Sequence, residues 1–372
     1  MNNKTIAIVI NTSWNIYNFR LGLMQALQEE GYRIIAIAPT DSYSPMIEAL
    51  GFEFHNITMN NKGTNPLEEL KLIWAFCQLY KKLKPDVLLH YTIKPNIYGA
   101  IAARLNGIPV ISNISGLGTV FLNDKLSSKI ARYLYRVFLH IPKVVFFQNK
   151  DDRALFIDLK LVAESKADVI QGSGIDITKF SPHARKKNNK AFSFLFIARL
   201  VKDKGLMEYL EAAKIIKSKY PEVQFDVLGA FYPGNPTAIT EKEMMSWQRD
   251  GIVNYLGTSD DVESIISQTD CVVLPSYREG LARVLLEAAI MSKPIVTTDV
   301  PGCRDVVVDG ENGFLCQVRN VQDLADQMEK MIKLDESERG LMGQKGREKV
   351  IAEFDEKYVL VKYQSAIRHL LV

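Results

Sequence analysis

The chain has 372 residues, which is long for a single hydrophobic core and suits two domains of ordinary size. Its 47% hydrophobic and 24% charged residues are typical of a globular protein, and no window of 18 uncharged apolar residues predicts a membrane-spanning helix. The net charge is +3, but residues 81–150 hold 11 basic residues against two acidic ones. This local excess predicts an anionic partner for the first half: nucleic acid, anionic lipid or a phosphorylated substrate.

Strand and helix patterns alternate through the first half. Short apolar runs predict strands at residues 6–10, 33–38, 87–90, 110–113, 144–148 and 168–171. Helical spacing of apolar residues predicts helices at 19–29, 67–83, 96–105, 126–141 and 151–159. Such alternation is typical of a parallel sheet covered by helices on both faces.

The helix at 126–141 carries a basic stripe beside an apolar one. Lys125, Lys129, Arg132 and Arg136 follow helical spacing on one face. A basic amphipathic helix is typical of attachment to an anionic membrane surface, and the alternative is a core helix with one solvated basic face. The four cysteines match no metal spacing and are typical of buried thiols in a reducing cytoplasm. Together with the basic helix, this predicts a cytoplasmic protein that is peripheral on the inner face of the plasma membrane.

The periodicity breaks near residues 172–190 and then restarts. We therefore predict a first domain over residues 1–175, a linker over 176–190 and a second domain over 191–355. The second half predicts strands at 192–198, 224–229, 253–256, 271–275, 295–298 and 313–316, with helices between them and further helices at 321–334 and 356–371. The simplest architecture is two doubly wound, Rossmann-like α/β domains facing across a cleft.

Two glutamates follow the predicted strand at 271–275. Glu279 lies in the strand-to-helix turn and Glu287 about two helical turns later, so both can face one site. In the alternative interpretation Glu279 complements the helix dipole and Glu287 is a solvated surface charge. Apolar neighbours surround Glu287 on nearly every side, which favours a carboxylate with a hydrogen-bonding partner.

Two cations, Arg199 and Lys204, follow the first strand of the second domain. Side chains of this charge at a strand's carboxyl end, beside a helix N-terminus, can bind a diphosphate, although an ordinary polar turn is an equal alternative. Taken with the two glutamates, which can bind sugar hydroxyls, they predict a nucleotide-sugar site.

These motifs resemble glycosyltransferase family 4, whose members have the GT-B fold and retain anomeric configuration. The resemblance rests on Ala198-Arg199-Leu200, Lys204-Gly205, Pro275-Ser276, Glu279-Gly280 and Leu286-Glu287-Ala288, together with the segment at 174–182, and it covers nearly the whole chain. It implies that Glu287 holds the donor ribose, that Glu279 contacts the transferred sugar, and that the final helix, 356–372, crosses back onto the first domain. It also implies a donor-binding turn in which backbone N–H groups join Arg199 and Lys204 on the diphosphate. The residues of this turn are Gly280, Leu281, Ala282 and Arg283.

Three segments of the first half resemble bacterial family members that extend polyprenyl-diphosphate-linked sugars: residues 15–20, 92–99 and 115–119. On this basis the predicted acceptor-site residues are Asn15, Arg20, Lys94 and Gly116, with Arg20 and Lys94 on the acceptor diphosphate. Two departures stand out. Residues 11–14 replace a Gly-Gly turn, and no histidine follows the strand that ends near Asn113. His90 lies one strand away and is either a core histidine or a ligand.

The predicted activity follows from these features. An inverting transferase needs a side-chain base, and the first half offers no convincing one. The resemblance implies a retaining, metal-independent glycosyltransferase that uses no cofactor. It would move a hexose or N-acetylhexosamine from a UDP-sugar to a polyprenyl-diphosphate-linked saccharide in bacterial surface polysaccharide or glycan assembly. The donor base and sugar, the acceptor sugar, the linkage and the oligomeric state stay open.

Three alternatives come from other classes of protein. A nucleotide-sugar 2-epimerase shares the two-domain fold, but it needs acid/base carboxylates and a histidine in the first domain. A dinucleotide-dependent oxidoreductase needs a Gly-x-Gly-x2-Gly turn, which the glycines at 116 and 118 and at 172 and 174 do not form. A nucleic-acid binder would explain the basic first half but neither Glu287 nor the pair of Arg199 and Lys204, so we expect no nucleic-acid partner.

Overall fold

Apolar runs rich in β-branched residues form the strands of two separate parallel sheets. The computed structural model describes residues 4–60, 65–117, 126–180 and 191–371. Its contacts divide the chain into two units, Met1–Gly174 with Glu356–Val372 and Ile175–Asp355. No helix formed by the described residues is long and apolar enough to cross a bilayer.

The first unit contains a seven-stranded parallel sheet in the order β3-β2-β1-β4-β5-β6-β7. Its strands are β1 (Thr5–Val9), β2 (Arg33–Ala38), β3 (Glu53–Asn56), β4 (Val87–Tyr91), β5 (Val110–Ile114), β6 (Val144–Phe147) and β7 (Ala167–Val169). Ile6 of β1 pairs with Ile34 of β2 on one side and Val87 of β4 on the other. The strand order reverses between β1 and β4, which makes the carboxyl ends of these two strands the switch point where ligands bind in doubly wound sheets.

Helices cover both faces of this sheet, which is why β1, β4 and β5 are buried along their whole length. They are α1 (Ser13–Phe19), α2 (Leu21–Glu29), α3 (Ser44–Ala49), α4 (Pro66–Leu83), α5 (Ala100–Leu105), α6 (Leu126–Phe138) and α7 (Lys150–Asp158). Residues Pro95–Gly99 form a π-helical turn before α5, where the sequence predicted one continuous helix. Asn96 in this turn is buried, and its side-chain amide donates to the carbonyl oxygen of Asn113 on β5, which ties the turn to the sheet.

The second unit repeats the same winding with six parallel strands in the order β10-β9-β8-β11-β12-β13. These are β8 (Ser193–Ile197), β9 (Gln224–Leu228), β10 (Asn254–Tyr255), β11 (Cys271–Leu274), β12 (Ile295–Thr298) and β13 (Gly313–Cys316). The helices are α8 (Leu206–Lys219), α9 (Glu241–Arg249), α10 (Val262–Gln268), α11 (Arg283–Ile290), α12 (Val321–Lys333) and α13 (Glu336–Glu353). Here the order reverses between β8 and β11, so the loops after these two strands are neighbours.

The boundary between the units lies at residues 174 and 175. Of the predicted linker, residues 176–180 are described, and 181–190 lie outside the described residues. Ile175 and Phe180 are buried in the core of the second unit, so the described part of this segment is anchored there by apolar side chains. The final helix, α14 (Glu356–Leu371), belongs to the first unit, where Val359, Tyr363 and Ile367 join the core.

Several elements were not predicted. Strand β3 is only four residues long, lies at the sheet edge and carries polar side chains, so it lacks an apolar run. Helix α13 contains three glycines, at 340, 343 and 346, which weaken its helical pattern. At Gly343 an added Cβ atom would lie 1.9 Å from the carbonyl oxygen of Ser292, so glycine permits the close approach of this helix to the chain after α11.

Candidate functional site

The predicted donor residues lie at the carboxyl edge of the second sheet. Lys204 follows β8 and Glu279 follows β11, the two strands between which the order reverses. The Lys204 Nζ atom lies 2.5 Å from Glu279 Oε1, and both side chains are mostly shielded from solvent. The structure therefore brings together two residues that are 75 positions apart in the chain. A lysine ammonium carries three N–H donors, and Glu279 accepts from one of them, so two can donate to an anion.

Hydrogen bonds join the two loops that carry Lys204 and Glu279. The backbone N–H of Tyr277 donates to the carbonyl oxygen of Asp203 at 2.9 Å, and the Ser276 hydroxyl donates to the same oxygen at 3.3 Å. Gly205 adopts a φ of +78°, and a Cβ atom there would lie 2.0 Å from the carbonyl oxygen of Pro275. Only glycine permits this approach, which places the start of α8 against the end of β11.

Arg199 makes a different contact at this edge. Its guanidinium carbon lies 4.8 Å from the ring centroid of Tyr232, in the loop after β9, and its side chain is exposed. Stacking on an aromatic face leaves the in-plane N–H donors of a guanidinium available to an anion. The sequence grouped Arg199 with Lys204, but the described contacts join Arg199 to Tyr232 and Lys204 to Glu279.

Glu287 has the partner that its apolar surroundings predicted. Its Oε1 accepts from Arg283 Nε at 3.1 Å across one turn of α11. Burial raises the pKa of the Glu287 carboxyl, and the positive charges of Arg283 and Lys179 partly offset that rise. The Arg283 side chain, which the sequence had placed only through its backbone, thus holds this carboxylate in one orientation.

For one predicted donor residue, the backbone N–H has another hydrogen-bond partner. The backbone N–H of Ala282 donates to the carbonyl oxygen of Gly302 at 2.9 Å, in the loop after β12, and Ala282 is buried. This N–H is already engaged, so it cannot serve the diphosphate while the bond persists. The backbone N–H groups of Leu281 and Arg283, and the role of buried Gly280 in the donor turn, stay predictions.

Three residues at this edge were missed in the sequence. The Tyr277 hydroxyl donates to Glu208 Oε1 at 2.8 Å, and the guanidinium carbon of Arg319 lies 4.4 Å from the Tyr277 ring centroid. Burial and the neighbouring Glu208 carboxylate raise the pKa of Tyr277 to about 12, so the hydroxyl stays protonated and keeps donating. These contacts fix the position of Tyr277, which lies two residues before Glu279. The three residues come from three separate elements, and no local motif links them.

In the first unit, Arg20 lies at the switch point. It is buried at the start of α2, and its guanidinium carbon lies 4.2 Å from the ring centroid of Tyr91, the last residue of β4. The Arg20 Nε atom has no hydrogen-bond partner among the described residues. A buried arginine with an unused donor is costly unless another group completes its hydrogen bonds, which supports a role in binding an anion.

The other predicted acceptor residues share this edge but not these contacts. Lys94, after β4, forms an ion pair with Glu69 of α4. Asn15 lies in α1, where its backbone N–H donates to the Thr12 side chain and its buried Oδ1 has no partner among the described residues. Gly116 follows β5 with a φ of +128°. Lys94 is therefore already paired, and the sequence had missed Glu69.

His90 is a buried neutral histidine. Its Nε2 atom lies 3.0 Å from the Tyr80 hydroxyl, and its Nδ1 atom has no partner among the described residues. Burial lowers the pKa of His90 to about 3, because a charged imidazole would be desolvated. This geometry favours the core histidine over the ligand.

We expect His90 to make the protein less stable below pH 6.5. Its folded pKa of about 3 is lower than the ordinary value of 6.5, so below pH 6.5 the unfolded chain binds a proton that the folded chain does not. Between pH 6.5 and 5 this should remove about 2 kcal/mol of unfolding free energy. Urea unfolding across this range should show a shallower pH dependence for His90→Gln. His140→Gln, at an exposed histidine, should behave as the wild type, and equal slopes for all three proteins would contradict the assignment.

The predicted membrane stripe lies on α6. Lys129 and Arg136 are exposed and Arg132 is partly exposed, whereas Lys125 lies outside the described residues. Arg136 also donates to the carbonyl oxygen of Leu159 at 3.2 Å. The described residues of α6 thus present a basic face to solvent. This agrees both with attachment to an anionic membrane surface and with a core helix that has one solvated basic face.

Among the described residues no group of three or more histidine, cysteine, aspartate or glutamate side chains could hold a metal ion. The predicted charged groups at the second switch point are Arg199, Lys204, Glu279 and Glu287, and the structure adds the Arg283 side chain, Glu208 and Arg319. Two Rossmann-like domains with this motif set are typical of glycosyltransferases with the GT-B fold.

Comparison with known proteins gives the family directly. Residues 178–349 match the family model "Glycosyl transferases group 1", and residues 5–149 match "Glycosyl transferase 4-like". The chain is 33% identical, over 84% of its length and 82% of the relative's, to N-acetyl-alpha-D-glucosaminyl L-malate synthase of Bacillus anthracis. The chain therefore belongs to the group 1 (family 4-like) glycosyltransferases, as the motifs predicted, and it is an enzyme of that kind.

A second relative covers nearly the whole chain. It is N,N'-diacetylbacillosaminyl-diphospho-undecaprenol alpha-1,3-N-acetylgalactosaminyltransferase of Campylobacter jejuni, 26% identical over 96% of both chains. Among solved structures, Anabaena HepE in complex with UDP and glucose superposes with a TM-score of 0.79 at 20% identity, covering 98% of this chain and 99% of that one. The predicted GT-B fold class is confirmed.

Proposed function

We propose that this glycosyltransferase moves a hexose or N-acetylhexosamine from a UDP-sugar to a polyprenyl-diphosphate-linked saccharide, with retention of anomeric configuration, in bacterial surface polysaccharide or glycan assembly. The observation that carries the proposal is the meeting of Lys204 and Glu279 at the switch point of the second sheet. A cation there can bind the diphosphate, while the carboxylate beside it can accept from a sugar hydroxyl.

The charges at this edge fit a sugar diphosphate. Arg283 and Glu287 neutralise each other, whereas Arg199 and Lys204 together exceed the single charge of Glu279. The remaining positive charge favours an anion, and the fixed Glu287 carboxylate is suited to the two neighbouring hydroxyls of a ribose. We assign the diphosphate to Arg199 and Lys204, the ribose to Glu287 and the transferred sugar to Glu279.

Catalysis in this proposal depends on orientation and charge rather than on a side-chain base. The leaving group of the reaction is a nucleoside diphosphate, and fixed cations stabilise the charge that develops on it as the glycosidic bond breaks. The acceptor proton passes to a phosphate oxygen of the donor on the same face of the sugar, which gives retention. We propose that the two cations make a metal ion unnecessary.

The acceptor assignment has two supports. The matched Campylobacter jejuni relative is named for a diphospho-undecaprenol acceptor. In this chain the buried Arg20 at the first switch point retains an unused Nε donor, which suits an acceptor diphosphate. We propose that Arg20 is the main contact of the acceptor diphosphate and that Asn15 and Gly116 also belong to the acceptor site. Lys94 takes part in this site while paired with Glu69.

A lipid-linked acceptor places the enzyme at a membrane surface. The exposed basic residues of α6 are suited to anionic headgroups, so we propose a cytoplasmic enzyme peripheral to the inner face of the plasma membrane. The alternative of a 2-epimerase gains no support from the two relatives, which are a transferase and a synthase by name.

A transfer assay tests the proposal. The full chain is incubated with UDP-GalNAc, UDP-GlcNAc, UDP-Gal or a GDP-sugar, and with a polyprenyl-diphosphate-linked monosaccharide or L-malate, the acceptor that the Bacillus anthracis relative is named for. We expect one UDP-sugar and the polyprenyl acceptor to give an α-linked product, with the rate unchanged by EDTA. Transfer to malate alone, a GDP-sugar requirement, or epimerisation of UDP-GlcNAc without an acceptor would each refute it.

In the same assay Glu287→Gln separates donor binding from chemistry. Losing charge-assisted hydrogen bonds to the ribose should raise the donor KM about tenfold or more and leave kcat within a few-fold. Glu311→Gln, at an exposed glutamate of the same unit, is the control and should match the wild type.

A further inference from the structure

Helix α4 is apolar on two opposite faces. Leu72, Phe76 and Tyr80 are buried in the core of the first unit. On the other side Leu67, Leu70 and Trp74 are 69%, 62% and 67% exposed. Their spacing of three and then four residues puts all three on one strip of the helix. We call these three residues the α4 stripe.

Such exposure needs an explanation. Single exposed apolar residues are ordinary, but three large ones in a row, one of them tryptophan, mark a surface that binds something. The described part of the first unit leaves the stripe in solvent. We therefore expect a binding partner that covers the stripe.

The basic face of α6 belongs to the same unit as the α4 stripe. Both α4 and α6 contact the π-helical turn Pro95–Gly99. Both connect parallel strands, and their N-terminal ends therefore lie toward the carboxyl edge of the sheet. The exposed face of α6 holds Lys129 and Arg136 beside Tyr133, which is 66% exposed.

We infer that the α4 stripe inserts into the interfacial region of a lipid bilayer while the basic face of α6 contacts anionic headgroups. Tryptophan and tyrosine favour the boundary between water and hydrocarbon, and lysine and arginine beside them complement an anionic surface. The excess of 11 basic over two acidic residues in 81–150 fits lipid better than an apolar protein partner.

This inference rests in part on the proposed function, because a lipid-linked acceptor requires the first unit to face a membrane. It adds an apolar component to the basic helix. Binding through charge alone weakens as salt rises, whereas binding through inserted side chains does not. The two helices should therefore contribute separable parts of the affinity.

Vesicle flotation tests the division of roles. The full chain is mixed either with phosphatidylcholine vesicles or with vesicles in which about 30% of the lipid is anionic phosphatidylglycerol. The variant Leu67→Ser/Leu70→Ser/Trp74→Ser should bind both vesicles at least tenfold more weakly than the wild type. Lys129→Gln/Arg136→Gln should lose only the preference for phosphatidylglycerol.

The matched control is Leu105→Ser, since Leu105 is 71% exposed at the end of α5 in the same unit. It should bind as the wild type. A triple variant that keeps its thermal transition and floats like the wild type overturns the inference. Flotation needs neither donor nor acceptor, so this outcome is distinct from a failure of the proposed activity.

Trp74 fluorescence supplies a second readout that does not depend on removing the stripe. The chain has three tryptophans, and Trp14→Phe/Trp247→Phe leaves Trp74 alone. Vesicles should shift its emission to shorter wavelength, and a quencher attached to the lipid chains should reduce it. An unchanged spectrum on vesicles that bind the protein overturns the inference.

A second copy of the chain is the competing occupant. If the stripe were a dimer interface, light scattering would show a dimer that the triple variant converts to a monomer, with unchanged vesicle binding. That pair of results would also overturn the inference.

Discussion

Replacing Lys204 by alanine should lower kcat by about 10²- to 10³-fold, the effect expected when one fixed group that stabilises developing charge is removed. Lys204 is held at the switch point by Glu279, with two further N–H donors, and no other lysine of the loop has this position. The donor KM should change less than kcat, because charge on the diphosphate grows as the glycosidic bond breaks. Steady-state transfer rates with saturating acceptor measure both.

Lys202→Ala is the matched control for this prediction. Lys202 lies two positions earlier in the same turn and is exposed, so it reports the loss of a positive charge without the loss of the switch-point contact. Its kcat should stay within a few-fold of the wild type. Arg199→Ala should also lower kcat strongly, because the Tyr232 ring presents its guanidinium to the same edge. If Lys204→Ala and Arg199→Ala both keep near-wild-type kcat, the diphosphate assignment is wrong.

A loss of activity must be separated from a loss of structure, since Lys204→Ala leaves the Glu279 carboxylate without this cation. Lys204→Ala/Glu279→Gln removes the uncompensated charge together with the cation. We expect its thermal transition to recover toward that of the wild type while its kcat stays low. Recovery of both would mean that Lys204 acts only on stability.

The second large effect is expected from Gly205→Ala. Alanine at a φ of +78° costs about 1 kcal/mol in any setting, and here its Cβ atom would also lie 2.0 Å from the carbonyl oxygen of Pro275. The start of α8 and the end of β11 must then separate, which adds roughly 1–3 kcal/mol, as overpacking does elsewhere. This movement would also pull Lys204 away from Glu279, so transfer should fall with stability.

Comparison with Gly251→Ala separates the cost of the contact with Pro275 from the cost of the positive φ. Gly251 has a similar φ of +69°, but nothing lies within 4 Å of an added Cβ atom. Urea unfolding should therefore show a small loss for Gly251→Ala and a loss about two to four times larger for Gly205→Ala. Equal losses would show that the contact with Pro275 imposes no constraint on the two loops.

The order of strands and helices was largely predictable because it follows from local patterns. Buried parallel strands such as β1 and β11 need continuous apolar runs, and such runs are visible in the sequence. Prediction failed where an element lacks that signal. Strand β3 is polar and lies at an edge, and α13 contains three glycines, of which Gly343 is required by the close approach of a neighbouring backbone. Both are stabilised by contacts distant in sequence, which a local pattern does not contain.

The candidate site was likewise predictable from the sequence only in part. The sequence identified Lys204, Glu279 and Glu287 because each follows a recognisable strand and matches a family motif. It could not show that Lys204 pairs with Glu279 while Arg199 stacks on Tyr232. It also assigned the Ala282 N–H to a diphosphate, although the loop after β12 accepts that hydrogen bond. Pairing across loops depends on strand order, which a linear pattern does not specify.

By itself the sequence determined the class of this protein: two α/β domains and a family of glycosyltransferases. Only the tertiary structure decided which charges meet, that Arg20 is buried against Tyr91 with an unused donor, and that the outer face of α4 is left in solvent. The physical reason is that composition and periodicity record how each residue relates to its own helix or strand. Contacts between elements arise from the winding of the sheet and from the approach of backbones at glycines such as Gly205.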